Sequence, residues 1–139
     1  MRAFAAFIAV VAAAASLGCG KPVDLKQGLR VQVVSTGWAD GGLVDGKNKI
    51  VPALSFTMTN TSGEKLPVLQ ANAIFRRVNE QAEWGSGLLT VAGSDGLAPA
   101  ATTANLTIRS QRGYTGVESR AEMLQNSQFV DANVQLFAK

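Results

Sequence analysis

Pro52-Ala53-Leu54-Ser55-Phe56-Thr57-Met58-Thr59-Asn60-Thr61-Ser62-Gly63 decides the fold, because two physical signals meet in it. Leu54, Phe56 and Met58 alternate with Ser55, Thr57 and Thr59. Side chains of an extended chain point alternately to opposite faces, so this segment reads as a strand with one face on a core and one in water. Asn60-Thr61-Ser62-Gly63 then supplies residue types that reverse the chain.

The same period recurs on both sides. Leu29, Val31 and Val33 alternate with Arg30 and Gln32, and Leu69, Ala71, Ala73 and Phe75 with Gln70, Asn72, Ile74 and Arg76. Ala104, Leu106 and Ile108 repeat it, as do Val130, Ala132, Val134 and Leu136. Residues 84–91 read as one more strand with a less regular pattern. Between them stand Ala39-Asp40-Gly41-Gly42, Asp45-Gly46-Lys47-Asn48 and Gly93-Ser94-Asp95-Gly96, all turn chemistry. Short alternating strands separated by such turns predict an all-β antiparallel sandwich of about seven strands. Ser119-Arg120-Ala121-Glu122-Met123-Leu124-Gln125-Asn126 departs from the pattern. Ser with Glu three residues on is a capping box, so a short helical crossover between sheets is expected there.

Pro52–Gly63, followed by a Leu/Val/Ala strand ending Ile74-Phe75-Arg76 and a closing strand at Phe129–Phe137, resembles the small immunoglobulin-like domains of bacterial cell-envelope lipoproteins. The resemblance spans about a hundred residues and implies an immunoglobulin-like sandwich and an envelope address. It brings no catalytic motif with it, and the paired cysteines of antibody-type domains are lacking.

The first residues carry the address. Met1-Arg2 is a minimal charged start, and Ala3 to Ala15 is apolar. That length suits the apolar region of a secretory signal and falls short of the ~20 residues a membrane-spanning helix needs. Residues 1–18 are therefore expected to be a signal peptide, helical in form. Ser16-Leu17-Gly18-Cys19 resembles the lipobox of bacterial lipoproteins, with Leu17 standing two residues rather than three before the cysteine. The expected outcome is cleavage before Cys19 and acylation of its thiol, which would anchor the protein to a membrane by lipid. The alternative is cleavage after one of Ala13-Ala14-Ala15, leaving Cys19 as a free thiol. Gly20 after the cysteine fits an outer-membrane anchor facing the periplasm, or an extracellular location. Residues 19–28 read as the lipidated cysteine and its tether, and residues 29–139 as a single domain.

Charge and composition exclude several functions. The 139 residues carry a net charge of +3, and removing Arg2 with the leader leaves 12 bases against 10 acids. The bases are scattered rather than clustered, which argues against a nucleic-acid partner. There is no histidine, so histidine triads, histidine metal sites and the commonest general base are absent. A single cysteine excludes thiolate zinc and iron–sulfur sites. Asp40 and Asp45 flank Gly41-Gly42 without the alternating acids of a calcium loop. Glu80/Glu83 and Glu118/Glu122 read as surface charge rather than a glycosidase pair. Gly85-Ser86-Gly87 is too short for a nucleophile elbow. No catalytic residue, metal or cofactor is expected.

What remains is a candidate binding surface. Tyr114, Arg109, Arg112 and Trp38 lie beside Gly-rich segments, where an aromatic ring or guanidinium can anchor a partner. The competing reading is that Trp38, Trp84 and Tyr114 close one end of the core, with Arg109, Arg112 and Arg120 as solvated loop charge. The function expected is a non-catalytic interaction or structural module with an envelope protein as partner. The alternative is a periplasmic carrier holding a small ligand between its sheets, and an enzyme is the weakest reading. The pattern ends on a strand just before Lys139, and an edge exposed there would pair with a partner strand.

Overall fold

The computed structural model describes the backbone of Val10–Ala12 and, with side chains, residues 23–139. The elements are β1 (Val10–Ala12), α1 (Leu25–Gly28), β2 (Leu29–Val44), β3 (Lys47–Asn60), β4 (Leu69–Arg77), β5 (Gly85–Ala92), β6 (Leu106–Arg109), β7 (Tyr114–Gly116), α2 (Arg120–Gln125) and β8 (Ala132–Ala138). They form two sheets. One has the order β1-β8-β4-β5, the other β2-β3-β6, with β7 paired to β3. Every pairing is antiparallel except β1 with β8.

Residues 29–139 contribute seven strands, the number the alternation predicts, and in β3, β4 and β8 the inward faces are the ones it assigns; Val33, past which a register shift breaks the β2 ladder, and Ala104, ahead of β6, are exposed instead. Leu54, Phe56 and Met58 of β3 are wholly buried. They meet Leu69, Ala71, Ala73 and Phe75 of β4 and Val134, Leu136 and Ala138 of β8 in one core between the sheets. Burying each large apolar side chain contributes roughly 1.5–3 kcal/mol, so this contact is the main force holding the sheets together.

The sheets approach most closely along the side where β5 passes β6. Gln111 donates its backbone N–H to the carbonyl of Ser86 at 3.1 Å. Gly87 permits the approach, since a Cβ there would stand 2.5 Å from the Arg109 carbonyl and the Ile108 side chain.

Three local structures depart from the turn and helix expectations. Ala39-Asp40-Gly41-Gly42 does not reverse the chain; it is an irregularity inside a long strand, with Gly42 at φ +87° and its N–H bonded to the Asp40 carboxylate at 2.7 Å. The reversal waits for Asp45-Gly46, both in the left-handed region, which joins β2 and β3 as a two-residue hairpin. Within the segment expected as a tether, Asp24 caps α1 by accepting from Lys26 N–H at 3.0 Å, and Leu25 is buried in the core. Val10–Ala12, inside the expected signal helix, is instead extended and paired in parallel with β8. Two adjacent β-branched residues and the edge of β8 beside them account for the strand geometry. The rest of residues 1–22, including Cys19, lies outside the described residues.

The helical crossover is present. Ser119 caps α2, its hydroxyl accepting from the Glu122 N–H at 3.2 Å. At the turn after β3, Asn60 is fully buried rather than solvated. Its amide donates to the carbonyls of Glu64 (2.8 Å) and Leu97 (2.9 Å), and its oxygen accepts from the N–H and hydroxyl of Ser62.

Candidate functional site

Trp38, Tyr114 and Arg112, three of the four residues singled out in the sequence, meet at one end of the molecule. β2 carries Trp38 and β7 carries Tyr114, and both strands flank the first half of β3: Trp38 pairs with Pro52 and Tyr114 with Ile50. The Trp38 and Tyr114 rings stand 5.6 Å apart. Trp84, at the entry to β5, lies 5.1 Å from Tyr114, and Phe129 lies 4.8 Å from Trp38. Separations of this kind are those at which aromatic rings attract by edge-to-face or tilted contact.

The polar tips of Trp38 and Tyr114 are satisfied within the protein. Trp38 Nε1 donates to the carboxylate of Asp131 at 2.8 Å, and the Tyr114 hydroxyl donates to the Val130 carbonyl at 3.3 Å. With Ile50 and Met123 buried beneath them, the rings make a second, smaller core. The core-closing reading of Trp38, Trp84 and Tyr114 describes this arrangement.

Cations surround the cluster on its outer side. Arg112 stacks over Trp84 with its guanidinium carbon 5.3 Å from the ring centre, and Arg77 approaches the same ring at 6.0 Å. Hydrogen bonding by Tyr114 and by Glu80 pushes the Arg77 guanidinium further above its ordinary pKa, so it stays charged. A guanidinium over an indole gains roughly 0.5–1 kcal/mol when exposed.

Arg109 does not join them. It lines an open groove of about 650 Å³ together with Asp40, Gly41, Gly42, Lys49, Val51, Ser110 and Gln111. Lys49 is held there by the Gln111 carbonyl at 2.8 Å. Arg120 bridges the strand irregularity, reaching the Asp40 carboxylate at 2.7 Å and the Gly42 carbonyl at 3.1 Å. A smaller cleft of about 160 Å³ lies beside Tyr114, Glu118, Met123 and Phe129.

Sequence reasoning missed the apolar tip just beyond. Leu43, Val44 and Val117 are exposed, Leu43 at 70% and Val117 at 85%. They lie at the same end of the sheet, since Leu43 and Gly116 flank Asn48 from the two sides of β3. Leu43-Val44 before Asp45-Gly46 was the available signal: two aliphatic residues placed where a hairpin turn needs none.

The long hairpin also fixes where this end lies. The sixteen residues of β2, at roughly 3.3 Å each, span about 50 Å. Leu29, next to α1, pairs with Asn60 at one extreme, and Val44 pairs with Lys47 at the other. The aromatic cluster, the groove and the apolar tip thus occupy the half of the hairpin away from α1. Comparison with known proteins gives no matching family, no matching relative and no matching solved structure.

Proposed function

We propose that the chain is a non-catalytic interaction module of the bacterial cell envelope: an exported lipoprotein, acylated at Cys19, whose immunoglobulin-like sandwich binds a protein partner. The observation that carries this reading is the polarity of the long hairpin. The chain enters the domain at α1, beside Leu29 and Asn60, whereas Leu43, Val44 and Val117 are displayed at the opposite end. A protein held at a membrane through its N-terminal segment presents that opposite end to whatever lies beyond the surface.

The groove beside the tip supplies the polar rim such a contact needs, with Lys49 and Arg109 as cations. Exposed aliphatic side chains at one end of the sheet, next to positive charge, suit a protein surface that is apolar at its centre and acidic at its border. Interior ligand carriage is the weaker reading, because Phe56, Phe75, Leu54 and Met58 fill the space between the sheets.

Site-specific photo-crosslinking in intact cells tests this. A crosslinker at Leu43 or Val117 should yield one dominant envelope protein, and the same probe at Thr61, beside α1, should not. Equal products from all three positions, or none from the tip, would sink the reading.

A further inference from the structure

We propose that the edge of β8 is a strand-acceptor site whose occupant, in the processed protein, is an uncharged Val/Ala-type segment of another envelope polypeptide running parallel to β8. The proposal rests on the export reading above for the vacating of that edge, and adds to it a second surface and its chemistry.

In the structure the edge is filled from within the chain. Val10, Val11 and Ala12 lie beside Leu136, Phe137 and Ala138 in parallel register. All three are inside the segment that processing before Cys19 would remove. The backbone groups left behind can be identified. Gln70 and Lys139 exchange both of their ladder bonds, at 2.8 and 2.9 Å. Hydrogen-bonding direction alternates along a strand, so Phe137 and Gln135 aim at β4, while Val134, Leu136 and Ala138 aim outward, the last two beside β1. The side chains of those last three are buried in the main core. Loss of β1 would therefore expose backbone donors and acceptors along the rim of the core itself, where unpaired groups are costly.

Two of the other edges, β2 and β5, are guarded. The ladder of β2 is broken by an irregularity between Val33 and Ser35, and β5 is tied to the opposite sheet through Ser86 and Gln111. Between Ala132 and Ala138, β8 has no irregularity in its pairing with β4, no proline and no charged residue. Among the described residues it thus lacks the bulge, the proline and the charge that ordinarily guard an edge. What the edge admits is shown by what sits on it: a short extended stretch of small or β-branched aliphatic residues. Its direction favours a foreign chain over a second copy. Two copies related by a two-fold axis normal to the sheet would pair β8 with β8 antiparallel, whereas the seated segment runs parallel.

The test measures amide hydrogen exchange on the chain recovered from an export-competent bacterium, after its N-terminus has been fixed by mass. The probe is a synthetic peptide of residues 7–14 with a polar solubilising tail, and the control is the same peptide carrying V10P and V11P. In a chain that has lost its leader, the amides of Leu136 and Ala138 should exchange freely. With peptide at about ten times its Kd they should slow by about tenfold, while Gln135 and Phe137 stay unchanged and the control peptide does nothing. Absence of that slowing overturns the proposal. Protection already present without peptide also overturns it: if it rises with protein concentration, a second copy is the occupant, and if not, the fold closes its own edge. A chain that keeps residues 1–18 defeats the export reading separately. The full-length V10P/V11P variant then vacates the edge, and the same peptide must still protect Leu136 and Ala138 for the acceptor site to stand.

Discussion

Trp38 on β2 and Asp131 at the entry to β8 are joined by a 2.8 Å hydrogen bond from the indole N–H to a buried carboxylate, tying the two sheets together at the aromatic end. Asp131 takes a second bond from the Ala132 N–H at 2.9 Å. Replacing the carboxylate leaves the indole N–H inside the protein without an acceptor. D131A and W38F should each lower stability by about 1–3 kcal/mol, and the double variant should cost less than their sum. Urea unfolding of the four proteins checks this; strict additivity would show that the bond is not the shared cause.

Asn60 should be among the most sensitive polar positions. N60A removes an amide that satisfies the Glu64 and Leu97 carbonyls and receives two bonds from Ser62. A loss of about 2–4 kcal/mol is expected, set against less than about 0.5 kcal/mol for the exposed neighbour substitution E64Q. Midpoints of chemical denaturation at unchanged slope give the comparison.

Gly113 holds Tyr114 in place by letting the backbone come against β3. A Cβ at Gly113 would strike the carbonyl of Ile50, and the Val51 side chain at 2.8 Å. G113A should push β7 off β3 and loosen the packing of Tyr114 on Trp38 and Trp84, visible as a red-shifted tryptophan emission. Gly37 has nothing within 4 Å of its Cβ position, so G37A should leave the spectrum as it was.

If Cys19 carries the lipid, C19S should move the chain from the membrane fraction to the soluble one and abolish incorporation of labelled fatty acid. A single acyl chain gives only marginal membrane binding, so complete retention of the wild type would indicate two or more chains on the residue. Unchanged fractionation of C19S would reject lipid anchoring.

The alternation made the core legible because burial in β3, β4 and β8 follows the period of a strand: Leu54, Phe56, Met58, Ala71, Ala73, Phe75, Val134 and Leu136 all face inward as read, whereas β2, with its irregularities, does not keep the period. Ser119 to Asn126 was legible for the same reason, since its cap is a local interaction between residues three apart. The turns were less so. Asp40-Gly41-Gly42 and Asp45-Gly46 offer similar chemistry, and only the pairing partners across the hairpin decide which reverses the chain. β7 is three residues long, too short for a period to register, and its position depends on Gly113 approaching Ile50 from 63 residues away. Of the candidate surface, Trp38, Tyr114 and Arg112 do converge, but Arg109, the last residue of β6, lines a different groove, whereas Arg112 lies in the turn beyond it and stacks on Trp84.

The long hairpin has a mechanical consequence. From Leu29 to Val44 the chain runs one way through a single strand with two local irregularities, with Val23 and α1 directly before it and the exposed Leu43-Val44 at its far end. A pull applied at Leu43-Val44 against a fixed N-terminal segment is transmitted through the covalent backbone of that single strand. None of the ladder bonds to β3, and none of the contacts between the sheets, lies in series with the force, so the domain can stay folded under tension that would part strands stretched across one another.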